Sequence, residues 1–167
     1  FLDMTRLHRL WRRNLYAQRG RDYTEVAAVG ELSAAALLVR RSVYEQVGGL
    51  DPAFFAYYED VDWCKRIGDA GYRIYYVPDA RVMHHWQGTS RQVSALAYRA
   101  GQDSVRYYFR KHHGPLAVVT VQGLLAGKEL ALLAACALRG DRPRRQLHGQ
   151  MLRRALAPLR MGEEGQG

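Results

Sequence analysis

The sequence is poor in residues that cross-link a chain or impose an unusual fold. Its two cysteines, Cys64 and Cys136, stand far apart and form neither a CxxC pair nor a zinc-binding cluster. The 16 glycines follow no three-residue period, and there are only five prolines. These absences exclude a disulfide scaffold and a collagen-like chain. We expect both cysteines to be reduced, buried thiols of a cytosolic protein.

Acidic residues are also scarce. The 167 residues include 16 Asp and Glu against 25 Lys and Arg, which leaves a net charge of +9. This excess predicts an anionic partner, such as a nucleic acid, a membrane surface or a phosphorylated substrate. The amino end has no short apolar core followed by a small-residue cleavage site, so no signal peptide is predicted. Because the first residue is Phe1 rather than Met, we expect the chain to continue upstream.

The remaining composition is that of a globular domain, with 48% hydrophobic and 25% charged residues. Short apolar and β-branched runs predict strands, and apolar residues repeated every three or four positions predict helices. The predicted strands cover 26–29, 34–39, 73–77 and 81–85. The predicted helices cover a basic amphipathic segment at 1–22, then 42–47, a helix from Glu59 that ends by Gly71, 94–112 and 116–138.

The stretch 116–138 is the most apolar part of the chain. It is long enough to span a bilayer, which takes about 20 residues. Gln122, Lys128 and Glu129 interrupt it, however, and a charge near the bilayer centre costs about 2.5–3.5 kcal/mol. We therefore predict a packed or interfacial helix, followed by a basic tail from Arg139.

The densest group of chemically active side chains is the run from Tyr57 to Trp63. Three acids follow the two tyrosines in the first turn of a predicted helix, which is more than capping requires. Aromatic rings beside paired carboxylates are typical of a sugar-binding surface, because a pyranose has an apolar face and a rim of hydroxyls. His84 and His85 end a predicted strand shortly afterwards, which leaves a divalent-metal site open.

Five segments in order resemble the carboxyl half of the family 2 glycosyltransferases, and most closely the bacterial rhamnosyltransferase type. Together they cover about residues 26–114. The segments are AAALLVRR at 34–41, VGGLD at 47–51, FFAYYEDVDWC at 54–64, GYRIYYVP with VMHH at 71–85, and SVRYYFRKHHG at 104–114.

The resemblance implies an α/β architecture. It would be a partial GT-A (Rossmann-like) fold, with a mixed sheet and flanking helices, followed by a helical carboxyl-terminal tail. Residues 1–114 would form the carboxyl, acceptor-side half of the catalytic domain. Residues 115–167 would form a helical, basic extension.

The resemblance also implies a reaction, the inverting transfer of a sugar from a nucleotide-diphosphate-sugar donor to a glycan or lipid-linked acceptor. Asp60 would be the catalytic base that takes the proton of the acceptor hydroxyl. A divalent metal, Mn or Mg, would neutralise the leaving diphosphate, with His84 as one ligand and the others from the amino half. The residues implied to bind the acceptor are Glu59, Asp62, Tyr58 and Trp63.

Two features depart from the family pattern. Ala34-Ala35 stands where the family usually has Gly-Ala, which bears on the identity of the acceptor. No Asp-x-Asp stands upstream of Asp60, so the nucleotide-binding half is expected to be missing and the isolated chain to be inactive. The resemblance places the enzyme in the cytoplasm, at the inner face of the membrane if its acceptor is lipid-linked, with no nucleic acid partner.

Two other functional classes compete with this interpretation. A basic module that binds RNA or acidic phospholipid without catalysis would explain the net charge and the segments 1–22 and 116–138. It leaves the acids at 59–62 unexplained, because carboxylates repel phosphates. A metal-dependent hydrolase built on Asp60, Asp62, His84 and His85 ranks last, since the sequence has neither a nucleophile elbow nor an HExxH motif.

Overall fold

The computed structural model describes residues 23–84 and 94–159, which form a small sheet and mostly helices. The two strands pair antiparallel, with Ala28 opposite Tyr75. The predicted helix over 1–22 and His85 lie outside the described residues. In chain order the elements are β1 (Ala27–Val29), a 3-10 turn (Ala34–Ala36), α1 (Arg41–Val47), α2 (Glu59–Asp69), β2 (Ile74–Tyr76), α3 (Ser94–Leu138) and α4 (Arg142–Leu156).

The sheet is smaller than the sequence predicts. The prediction of a strand at 34–39 is wrong, because the Ser33 hydroxyl caps a 3-10 turn by accepting a hydrogen bond from the Ala35 N–H. An apolar run becomes a buried strand only where neighbouring strands and helices cover it, and Leu38 is 99% exposed. The described part of the predicted strand at 81–85 is irregular and exposed. Among the described residues there is therefore no mixed sheet, only one antiparallel pair.

The helices α1 and α2 agree with the local signals in the sequence. Gly48 follows α1 with φ 80°, as expected of a glycine that ends a helix, although the helix begins at Arg41 and Ser42 does not cap it. The side chain of Arg66 on α2 donates hydrogen bonds to the carbonyls of Val47 and Gly49, at 2.8 and 2.6 Å. These bonds hold α2 against the end of α1.

The long helix α3 bends at Gly114, where φ is 81°, and continues through Pro115 to Leu138. Because the backbone at Gly114 is not helical, this segment consists of two helical arms, in agreement with the separate helices predicted at 94–112 and 116–138. By length and composition alone, α3 is long and apolar enough to cross a bilayer between Ala95 and Leu138.

The two arms of α3 and the helix α4 pack against one another around Glu129, whose side chain is fully buried. Tyr98 on the first arm and His148 on α4 both hydrogen-bond to the Glu129 carboxylate at 2.7 Å. An ion pair from Arg154 on α4 to Asp103 joins the same elements.

The prediction that the cysteines are reduced and buried is confirmed, with Cys64 1% and Cys136 8% exposed.

Candidate functional site

The site begins at an unusual turn that leads into α2. Tyr57 and Tyr58 both have a positive φ, 66° and 70°. A non-glycine residue in this region costs about 1–2 kcal/mol. The carbonyl of Tyr58 accepts the first hydrogen bond of the helix, from the Asp62 N–H at 2.9 Å. The turn therefore places Glu59 and Asp60 at the mouth of α2, where the helix dipole favours negative charge.

The negative charge of Asp60 acts on two other carboxylates, those of Glu31 and Glu59, and we call these three acids the acidic triad. Burial raises the pKa of Glu31 and of Glu59, and the negative charge of Asp60 raises both further. The Oε2 atom of Glu59 is buried and has no hydrogen-bond partner among the described residues. No lysine, arginine or histidine of the ranges 23–84 and 94–159 forms an ion pair with the triad.

Asp60 is half-buried and lies between α2 and the 3-10 turn. Its Oδ2 accepts a hydrogen bond from the Ala34 N–H at 3.3 Å, and its Oδ1 accepts one from the Val61 N–H at 2.9 Å. Both partners are neutral backbone groups. The carboxylate is thus held in place by backbone donors, with no ion-pair partner among residues 23–84 and 94–159.

Asp62 lies on the same helical turn but in very different surroundings. Its side chain is 0% exposed, and it bonds Arg66 Nε at 2.8 Å, Lys111 Nζ at 2.8 Å and His112 Nε2 at 2.7 Å. Burial alone would raise the pKa of Asp62, but these three partners outweigh it, and the pKa is lowered. The carboxylate expected at the acceptor surface is therefore occupied inside the protein.

The two aromatic residues expected to bind the acceptor also have internal partners. The indole Nε1 of Trp63 donates to the Gly48 carbonyl at 2.7 Å, and its ring meets Tyr44 edge-on. The ring of Tyr58 lies 5.5 Å from that of Tyr108. Both side chains keep partial exposure, so each can still form part of a wall beside the triad.

His84 is exposed on the irregular segment after β2. The open depression of about 580 Å³ beside β2 is lined by Tyr23, Thr24, Tyr76 and residues 78–82, and it includes neither Asp60 nor His84. Within the described part of the chain, no three His, Cys, Asp or Glu side chains are arranged to hold a metal. The described residues therefore do not fit a metal centre by themselves, and no chemical step can be derived through one.

Sequence reasoning missed several residues that shape this site. Glu31 carries no local signal, because it lies 28 positions before Glu59 and joins the triad only through the fold. Lys111 and His112 belong to a segment of the resemblance, but nothing in the sequence assigns them to Asp62. Asp51, which accepts a 2.7 Å bond from Lys111, looked only like the start of a loop.

Comparison with known proteins gives a relative that covers about half of this chain. The N-acetylglucosaminyl-diphospho-decaprenol L-rhamnosyltransferase of Mycobacterium tuberculosis (strain CDC 1551 / Oshkosh) is 42% identical over 85 residues. Those residues are 51% of this chain and 28% of the relative. The matched residues therefore cover less than a third of the length of that protein.

Two further relatives carry similar names. The rhamnosyltransferase WbbL of Escherichia coli (strain K12) is 38% identical over 76 residues, which are 45% of this chain and 29% of the relative. The dTDP-rhamnosyl transferase RfbF of Shigella flexneri is 29% identical over 87 residues, 47% of this chain and 29% of the relative. No solved structure gives a significant match.

A model of the family described as "Glycosyltransferase like family 2" matches residues 4–102. This range contains the acidic triad, the strained turn and the whole of α2, and it makes up more than half of the 167 residues. The rhamnosyltransferases match over a shorter length but carry names of the same activity. The carboxylates of the candidate site thus lie within this match, and the chain belongs to glycosyltransferase-like family 2.

Proposed function

We propose that this chain contributes the acceptor side of an inverting sugar transfer, with Asp60 as the catalytic base. The donor would be a nucleotide-diphosphate-sugar, with rhamnose as the sugar that the relatives' names favour. The acceptor would be a glycan or a lipid-linked sugar diphosphate. The observation that carries the proposal is the acidic triad, whose carboxylates form no ion pair with any described residue and lie inside the family match.

In the proposed step, the acceptor hydroxyl attacks the anomeric carbon on the face opposite the diphosphate. The new oxygen–carbon bond forms as the bond to the diphosphate breaks, and the diphosphate leaves with the electron pair. Asp60 takes the hydroxyl proton, which makes the oxygen a stronger nucleophile. Attack from the opposite face inverts the anomeric carbon.

The other members of the site would position the acceptor. Glu59 has a buried, unpartnered oxygen, which suits a hydrogen bond from a sugar hydroxyl. Tyr58 and Trp63 would form the apolar wall on which the sugar ring packs. Asp62, which is buried, would contribute indirectly by holding the first turn of α2 in place.

His84 stays our candidate for one ligand of a divalent metal, Mn or Mg. Its remaining ligands would have to come from outside the described residues, because those do not form a metal group. When bound, the metal would neutralise the diphosphate.

The proposed division places the acceptor side of a GT-A domain at 1–114 and a helical, basic extension at 115–167. The matched segment is 28% of the M. tuberculosis relative, so transfer is proposed to need a nucleotide-binding half in addition to these residues. On this proposal the 167 residues alone are inactive.

The extension is proposed to rest on the anionic inner face of the cytoplasmic membrane. Beyond the kink, the exposed positions of α3 carry no charged residue. They are Leu116, Val119, Thr120, Gly123, Leu124, Gly127, Leu130, Ala131, Ala134, Ala137 and Leu138. Exposed arginines follow at 139, 142, 144 and 145. An apolar surface flanked by cations suits the interface of a membrane with acidic lipids.

The membrane proposal is tested against the RNA-binding alternative. The chain should sediment with vesicles containing acidic lipid, and Leu124→Glu should weaken this binding because the charge enters the apolar surface. Arg40→Gln, which also lowers the net charge by one and changes an exposed residue far along the chain from the extension, is the charge-matched control. Binding to RNA but not to vesicles, with a steep loss as salt rises, would favour the binding module instead.

The catalytic proposal is tested in a complete enzyme, made by joining this chain to the amino-terminal part of the M. tuberculosis relative. Asp60→Asn keeps the shape of the side chain and removes its basicity. We expect kcat to fall roughly 10²-fold or more with donor affinity nearly unchanged. Asp69→Asn changes an exposed acid at the other end of α2 and should leave transfer intact. Full turnover by the Asp60 variant would contradict the proposal.

A further inference from the structure

We propose that one face of α3, made of Gly101, Ser104, Tyr108, Lys111 and His112, is a positioning device that aims the base Asp60. The inference takes the role of Asp60 as a base from the proposed function. The contacts from which it is argued are independent of that function. None of the five residues touches the triad in the contacts described above. Their role would be to hold the backbone that presents it.

The five residues share one face because of their spacing. Gly101, Ser104, Tyr108 and Lys111 follow one another at three or four positions, and His112 stands four positions after Tyr108, which is the period at which side chains align along a helix. The family match ends at residue 102, so most of this face lies beyond it. The face looks toward the strained turn and the first turn of α2.

The first three members hold the strained turn. Ser104 Oγ donates a 2.7 Å hydrogen bond to the carbonyl of Ala56, the residue before the two tyrosines with positive φ. The ring of Tyr108 lies 5.5 Å from the ring of Tyr58. The ring of Tyr57 lies over Gly101, close enough that a Cβ there would be 3.5 Å from Tyr57 Cδ2. These contacts offset part of the cost of the turn.

The last two members hold the helix that follows. Lys111 Nζ bonds Asp51 at 2.7 Å and Asp62 at 2.8 Å, and so joins the loop before the turn to the helix after it. His112 Nε2 bonds Asp62 Oδ1 at 2.7 Å. Asp62 is two positions after Asp60. A shift of its carboxylate would therefore rotate the first turn of α2 and move Asp60 from the backbone donors at Ala34 and Val61.

The molecule contains a matched control for these contacts. Lys128 pairs with Glu129 at 2.9 Å, and that carboxylate is 0% exposed, as is Asp62. The side chain of Lys128 is 29% exposed and that of Lys111 is 26% exposed. Loss of either lysine removes one cation from a buried carboxylate, but only Lys111 touches the segment that presents Asp60. A purely structural role predicts similar effects for both changes.

The first experiment uses the 167-residue chain and no activity. The carboxyl carbon of Asp60 is followed by NMR in Lys111→Met, His112→Gln, Ser104→Ala and Lys128→Met. We expect the Asp60 and Val61 signals to shift in the first three variants. In Lys128→Met they should stay in place, even where this variant loses as much thermal stability as the other three. Unmoved Asp60 signals in all three face variants, or equal shifts in Lys128→Met, would overturn the proposal. Ser104→Ala keeps the test informative if a charge variant does not fold.

The second experiment measures transfer in the complete enzyme described above. We expect Lys111→Met and His112→Gln to lower kcat about tenfold with little change in KM, because the base is misplaced while the acceptor still binds. Lys128→Met should transfer normally. Equal loss in all three variants would overturn the positioning role. If Asp60→Asn transferred normally, the proposed function would fail, whereas the NMR result would still decide whether this face holds the turn.

Discussion

Glu59 and Asp62 differ sharply in their surroundings, although both lie on the first turn of α2. Asp62 is completely buried, bonds Arg66, Lys111 and His112, and has a lowered pKa. Glu59 has a raised pKa and a buried oxygen without a partner among the described residues. Burial acts to raise the pKa of both carboxyls, and only the partners of Asp62 reverse that effect. A buried acid with all its partners holds a fold together, whereas one that lacks them marks a place kept for chemistry.

Glu129 shows that the Asp62 arrangement is not special to the site. Tyr98, Gln102, Lys128 and His148 bond its carboxylate at 2.7–2.9 Å. Burial alone would raise the pKa of Glu129, yet these partners lower it. Among the described residues, Asp62 and Glu129 are thus buried acids with cationic partners, whereas Glu59 and Asp60 form no ion pair. Glu59 and Asp60 lie at the mouth of α2, inside the family match.

The largest expected effect comes from Asp62→Ala, which removes the acid and leaves Lys111 and Arg66 without their buried counter-charge. Breaking a buried ion pair on one side costs about 3–5 kcal/mol of unfolding free energy. Urea unfolding followed by circular dichroism measures the loss. Asp69→Ala removes a 60% exposed acid paired with Lys65 on the same helix, and should cost less than about 1 kcal/mol. Equal losses of unfolding free energy in Asp62→Ala and Asp69→Ala would show that the two acids contribute equally to stability.

A smaller effect is expected for Glu129→Gln, which keeps the shape and one acceptor of the buried side chain. The loss of charge-assisted hydrogen bonds should cost about 2 kcal/mol in the same assay. The amide signals of residues 59–62 should not move, because Glu129 packs α3 against α4 and not against α2. Movement of those signals would mean that the two buried acids are coupled.

The opposite sign is expected for Glu59→Gln. This change removes an uncompensated charge, so it should stabilise the chain by about 1 kcal/mol at neutral pH while lowering transfer in the complete enzyme. Glu45→Gln, on exposed α1, is the control and should leave stability within about 0.5 kcal/mol. A loss of stability in Glu59→Gln would show that the carboxylate has a cationic partner.

The smallest expected effect is the pH dependence of the stability gained by Glu59→Gln. Because the folded pKa of Glu59 lies above its ordinary value of 4.5, the folded chain binds the proton more tightly. The stability gained by Glu59→Gln should therefore be absent below pH 4.5 and grow as pH rises through the raised pKa. Asp62 behaves oppositely: its lowered pKa gives stability that is present above 3.8 and lost as pH falls through the folded value. Unfolding at several pH values, with and without each substitution, separates the two.

The features of the described structure also differ in how well the sequence predicted them. Ends of helices were predicted well: Gly48 ends α1, and α2 begins at Glu59. The strand at 34–39 was wrong because an apolar run does not say whether a neighbouring strand will cover it. The predicted break between the helices 94–112 and 116–138 is confirmed by the non-helical backbone at Gly114, but the packing of the second arm against α4 could not be read from the sequence.

The sequence by itself determined the local features: the acids in the first turn of α2, the glycine that ends α1, and the run of residues that carries the family resemblance. These depend on interactions over one or two helical turns, which a short segment makes without help. Only the tertiary structure decided which acids would be paired. Lys111 and His112 reach Asp62 across 49 and 50 positions, and the charge of Asp60 acts on Glu31 across 29, so the difference between paired and unpaired acids of the described residues arises when distant segments pack.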